Sequence, residues 1–258
     1  MAAMKCILGL LALLAVSAWT EAGVVKRQSG DNAEEDEPVL SVSEQLERAN
    51  RNLNPMEEGV QLKGDIALSN HRNADPCVQN GCKWPKSSDG NVYIPYVIAN
   101  SYSSEQLGVI TSAMNSISTA TCIRFIPRTT ETAYIDIQSL DGCYSFVGRQ
   151  GNSQTLSLNT TGCIYFGTVQ HELLQVLGFN HEHRRSDRDQ LQSILPGEEY
   201  NFANINTLNH GIPHDYKSLV QFYNLAFFRN INPNAVIGGA KQMSQDDFNR
   251  INLLYCSN

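Results

Sequence analysis

The chain predicts an α+β domain, with a twisted mixed sheet and two long helices in its N-terminal part and an irregular C-terminal half ending in a helix. Three observations predict it. GNVYIPYVIA at 90–99 alternates apolar and polar residues at the period of a strand. SSEQLGVITSAMNSISTATCI at 103–123 instead repeats Leu107, Ile110, Met114 and Ile117 at helical intervals, with Ser103 or Ser104 placed to cap them. Past residue 190 regularity fades until SQDDFNRINLLYC, where Ser244 caps a last helix with Phe248, Ile251 and Leu254 on one face.

The start of the chain is of another kind. Lys5, the apolar run ILGLLALLAV and the small residues Ala18, Thr20 and Ala22 make residues 1–20 a signal peptide, too short to anchor in a membrane. The product is therefore expected to be secreted, extracellular and soluble, with no membrane partner. Residues 21–54 are polar and acidic, including the solvated run DNAEEDE at 31–37. Within them VSEQLERANRNL predicts a short helix with Val42, Leu46 and Leu53 on one face; a disordered linker is the alternative. The net charge of −7 is mild and no basic patch interleaves with aromatics, so nothing suggests a nucleic-acid partner.

Seven cysteines are present, and Cys6 falls in the signal peptide. The remaining Cys77, Cys82, Cys122, Cys143, Cys163 and Cys256 argue for three disulfides in a secreted chain, their connectivity open. No C-x-x-C pair occurs, which argues against a zinc ribbon. After the long helix, CIRFIPR and AYIDIQSL read as strands, and GCYSFVGRQGNSQTLSLNTTGC at 142–163 as a Gly-rich loop with one further strand. That stretch contains the sequon Asn159-Thr160-Thr161, a candidate glycosylation site.

The second long helix carries the chemistry, in VQHELLQVLGFNHEHRRSDRD at 169–189. Positions i and i+4 share a helix face, so His171 and residue 175 point at one ion while Glu172 aims at a bound water. Gly178 permits a sharp turn out of the helix that returns His181 as a third ligand. The spacing asks for His at 175, and the sequence supplies Gln175. With Phe179 and Glu182 after the glycine, this block resembles the astacin family of metzincin zinc endopeptidases, and within it the fish hatching-enzyme group, over roughly residues 60–258.

The resemblance implies a metzincin (zincin-like) fold, one zinc ion and peptide-bond hydrolysis, with metal-binding His171 and His181, a degenerate ligand position at Gln175 and Glu172 as general base. It implies a zymogen: a propeptide over 21–72 whose Asp65, after Gly64, takes the place of the catalytic water, and an activating protease cutting at Arg72-Asn73 to leave a peptidase domain of 73–258. Glu182 would then pair with the new N-terminus. The pairings implied are Cys122 with Cys256 and Cys143 with Cys163, leaving Cys77 with Cys82. AYIDIQSL would be the edge strand beside the cleft. The expected partner of a monomer is a protein substrate, in the hatching group an egg-envelope or other extracellular-matrix protein.

The family's Met-turn, S-x-M-H-Y, aligns with Ser218, Leu219, Val220, Gln221 and Phe222. Val220 replaces the methionine beneath the metal, and Phe222 keeps the ring of the tyrosine without its hydroxyl. Loss of one transition-state hydrogen bond costs on the order of 10²–10³ in rate. Gln175 offers zinc only a neutral amide oxygen, so metal affinity is expected to be weakened. Two readings follow: an impaired endopeptidase, and a catalytically inactive astacin-fold protein that acts by binding. His183, His210 and His214 are expected at the surface or behind the ligands.

Overall fold

The computed structural model describes residues 39–54, 56–57, 60–68, 81–190, 192–194, 205–207, 209, 211–221, 228–231, 234 and 236–257. Residues 1–20, the Arg72-Asn73 bond, Cys77, His210 and Phe222 lie outside them. Helix α1 (Val42–Asn50) leads into the short strands β1 (Met56–Glu57), β2 (Val60–Lys63) and β3 (Ile66–Leu68). Then come β4 (Val92–Ile98), α2 (Ser104–Ala120), β5 (Ile123–Pro127), β6 (Tyr134–Gln138), β7 (Cys143–Phe146), β8 (Ser153–Leu158) and α3 (Phe166–Val176). The C-terminal half adds an antiparallel pair of β9 (Gln192–Ile194) with β10 (Phe228–Asn230), then α4 (Gln245–Ile251), which runs into a π-helical turn over Asn252–Cys256.

Each of α1, α2 and α4 starts where a serine satisfies a free amide of the first turn. Ser41, Ser103 and Ser244 accept from the backbone of Glu44, Gln106 and Asp247, whose side chains reach back to the serine amides. In α2, Ile110, Met114 and Ile117 are buried and Leu107 is half-buried, as the periodicity requires. They meet Val169, Leu173 and Leu174 of α3, and with Ile94, Ile135, Ile137, Leu156 and Leu158 of the sheet they form the main core. Val42 and Leu46 of α1 join that core, while Leu53 packs in a smaller cluster with Leu62, Ala67 and Tyr144.

The sheet runs β1-β2-β3-β7-β8-β6-β4-β5. Strand β4 is parallel to β5 and β6, β6 to β8 and β3 to β7, whereas β7 and β8 are antiparallel, so the sheet is mixed. Two expectations need correcting. The stretch 142–163 forms two strands, because Gly148 and Gly151 turn the chain and β7, buried at Cys143, Tyr144 and Ser145 in succession, carries no alternation to betray it. The AYIDIQSL strand, β6, is not an edge: it is hydrogen-bonded on both sides, to β4 and β8, and sinks Ile135 and Ile137 into the core. Disulfides join Cys122 to Cys256 and Cys143 to Cys163; Cys82 is also bridged. Among the described residues, no helix is long and apolar enough to cross a membrane.

Candidate metal centre

Helix α3 is buried from Gly167 to Val176, so it cannot show a polar face to water. Its polar side chains must find partners inside. One turn apart, His171 and Gln175 bring their Nε2 atoms to 2.9 Å. Gly178, at φ +96°, then breaks the helix: its amide donates to the Gln175 carbonyl at 2.7 Å and that of Phe179 to Leu174 at 3.1 Å. The turn delivers His181, whose Nε2 lies 3.4 Å from the Gln175 nitrogen. The carbonyls left without helical partners at the end of α3 are satisfied by the Trp84 indole on Val176 (2.9 Å), the Gly148 amide on Gln175 (2.8 Å) and the Tyr255 hydroxyl on Leu177 (2.8 Å).

Asp65 enters from the β2–β3 hairpin, which Gly64 turns at φ +67°. Strand β3 docks parallel on β7, pairing Ile66 with Ser145, and the Ser145 amide donates to the Asp65 carbonyl at 3.1 Å. That register aims the carboxylate at the histidines. Asp65 Oδ2 lies 2.6 Å from His171 Nε2, 3.0 Å from His181 Nε2 and 2.7 Å from Gln175 Nε2. The other ring nitrogen of His171, Nδ1, faces the Leu219 carbonyl at 3.0 Å. A carbonyl only accepts, so Nδ1 carries a proton and orients Nε2 toward the shared centre.

Gln175 is the unusual member. Its amide nitrogen faces the centre, while its oxygen accepts from the Ser145 hydroxyl at 2.9 Å on the far side. The Asp65 carboxylate selects this orientation, since two acceptor oxygens at that separation would repel. Sequence reasoning missed Ser145, which is 30 positions from Gln175 and belongs to no motif.

Electrostatics follow from burial. Asp65 is held well below the usual carboxylate range because the two imidazoles outweigh the cost of its burial. Burial alone would depress His171, yet the hydrogen bond and charge of Asp65 hold it up at about 9. Glu172 is pushed up to about 8, chiefly by burial, and neither carboxylate oxygen has a hydrogen-bond partner. Val220 is buried in the main core, and its carbonyl accepts from the Glu182 amide at 2.9 Å, which ties the turn in which the sequence lacks methionine to the residue after His181.

Glu182 is not an exposed helix-end residue. Arg250 grips its carboxylate through both terminal nitrogens (2.7 and 3.0 Å), Arg185 adds a contact at 3.2 Å and the Asp215 amide one at 2.9 Å. Neither arginine had been singled out from the sequence. His183 and His214 are both buried, against the surface alternative; the His183 ring stacks 5.2 Å from His181. Asn159 is half-buried and its Nδ2, the atom a glycan would take, donates to the Leu140 carbonyl at 2.8 Å.

Zinc, which the resemblance implies, is tested against these donors. His171, His181 and Asp65 are all buried, and their ligand atoms lie within 4.8 Å of one another. Two imidazole nitrogens and a carboxylate oxygen make a set that zinc accepts. These three residues fit the ion; Gln175, offering an N–H donor, does not.

Comparison with known proteins agrees with this geometry. A match to Astacin (Peptidase family M12A) spans residues 79–256. High choriolytic enzyme 2 of Oryzias latipes is 43% identical over 208 residues, which cover 75% of each chain. The low choriolytic enzyme of the same fish is 39% identical over 263 residues, covering 95% of this chain and 96% of its own. Among solved structures, high choriolytic enzyme 1, described as a hatching enzyme zinc-protease from medaka, is 42% identical, covers 72% of this chain and 100% of its own, and superposes with a TM-score of 0.66. On the sequence block, the fold and these matches, this chain belongs to the astacin family.

Proposed function

We propose that this chain is a secreted endopeptidase of the hatching-enzyme kind, made as a zymogen and directed at extracellular or egg-envelope proteins, whose turnover is strongly impaired. The observation that carries the peptidase reading is the convergence of His171, His181 and Asp65 beside the buried carboxylate of Glu172. The likeness to medaka choriolytic enzymes supports the substrate class.

Zinc, when bound, supplies Lewis-acid polarisation of the scissile carbonyl and a water of lowered pKa. His171, oriented by the Leu219 carbonyl, and His181 hold the ion. Glu172 accepts the proton of the attacking water and returns it to the leaving amine. Asp65 fills the centre until the N-terminal segment is removed.

A second reading, an astacin-fold protein that binds protein partners without cutting, is favoured by the Gln175 amide nitrogen turned toward the centre. Zinc analysis and hydrolysis of a protein substrate separate the two. One tightly held zinc and a cleavage that Glu172→Gln abolishes support the endopeptidase; no cleavage by a folded, activated chain supports the binding protein.

A further inference from the structure

We propose that Asp65 is the third metal ligand this chain needs for tight binding, so that the precursor holds zinc firmly and removal of its N-terminal segment leaves the ion weakly held. The inference rests on the reading of residues 21–72 as a propeptide and of zinc as the metal. It deepens that reading by making metal retention a property of the uncleaved form.

The argument is a count of donors. Four side chains meet at the centre, and three carry an atom that offers a metal a lone pair once its proton is displaced: His171, His181 and Asp65. The fourth, Gln175, presents an amide nitrogen, whose lone pair is delocalised into its carbonyl and unavailable to a metal. Its oxygen is turned away and held by Ser145 at 2.9 Å. Protein zinc sites, catalytic ones included, are built on three or four protein ligands. Without Asp65 this chain supplies two.

The scaffold explains why Asp65 is a dependable ligand while it is present. Ser145 anchors the backbone of Asp65 through its amide, at 3.1 Å, and the Gln175 side chain through its hydroxyl. Farther back, Asn50 of α1 clamps Cys143 at both its carbonyl (2.7 Å) and its amide (2.8 Å), and Val42 and Leu46 are embedded in the main core. The segment that carries Asp65 is thus built into the sheet and the core. Its loss takes away a ligand that Gln175, in place of a histidine, does not replace.

The test is zinc affinity of the full-length chain, measured by competition with a chromophoric chelator, for wild type, Asp65→Asn, Gln175→Leu and the double variant Asp65→Asn/Gln175→His. The proposal expects one zinc in wild type and a loss of at least about 100-fold in affinity for Asp65→Asn, beyond the range typical of residues that merely support a ligand. The double variant, with a third imidazole, returns to within about tenfold of wild type. Gln175→Leu, which needs no change at Asp65, keeps wild-type affinity within about threefold. Zinc retained by Asp65→Asn, or lost from Gln175→Leu, overturns the proposal by showing that the Gln175 oxygen turns to the ion. A folded wild type that takes up no zinc overturns the zinc reading itself, a result distinct from either of these.

Discussion

The side-chain nitrogen of Gln175 lies 2.7 Å from the Asp65 carboxylate, at the helical position from which a histidine would complete the metal site. One substitution thereby changes the character of the centre. A third imidazole would bring a lone pair; the amide brings donors, which bind the Asp65 carboxylate. The residue that replaces the expected histidine is thus also a hydrogen-bond donor to the β2–β3 hairpin.

Ser145→Ala removes the hydroxyl that, among the described residues, donates to the Gln175 oxygen, leaving a buried acceptor unsatisfied. The expected cost is about 1–3 kcal/mol of stability, read as a lower urea midpoint with an unchanged slope.

Arg250→Met strips the bidentate partner from Glu182, which is 3% exposed. Breaking a buried pair from one side costs about 3–5 kcal/mol, whereas replacing both partners is close to neutral. Denaturant unfolding of Arg250→Met and of the Glu182→Gln/Arg250→Met double variant checks this: the double variant is expected to be the more stable of the two.

His214 makes acid destabilising. Burial, with Arg185 nearby, pushes it down to about 4, and among the described residues neither ring nitrogen has a hydrogen-bond partner. Between pH 4 and the ordinary histidine value of about 6.5 the unfolded chain binds a proton that the folded chain refuses, so stability falls as the pH is lowered through that window. His183, also depressed by burial, adds to the slope. His214→Phe, which keeps a ring against Tyr216, is expected to recover up to about 3 kcal/mol of the stability lost between pH 6.5 and 4. Melting curves across that range decide it.

The helices, and the approach of His181 to His171, were legible in the sequence because their signals are local. Ser103 and Ser244 cap as the pattern requires, Ile110, Met114 and Ile117 are buried, and Gly178 has the positive φ that returns His181 to His171. What stayed hidden depends on distant partners. Strand β7 is buried on both faces and lacks alternation, and β2 and β3 are too short for any. The interior place of β6 follows from two parallel pairings that no local period encodes. At the centre, spacing finds Gln175, but only Ser145 and Asp65, reached through the sheet register, decide which end of its amide faces the histidines.

The most direct test of the account is the rate at which the zinc-supplied chain, freed of its N-terminal segment, hydrolyses a denatured protein substrate, compared with Gln175→His/Phe222→Tyr and with Glu172→Gln. The account predicts that wild type is slower than the double variant by at least about 100-fold, the loss expected from a missing transition-state donor alone. Wild-type turnover equal to that of the double variant, and abolished by Glu172→Gln, would contradict it.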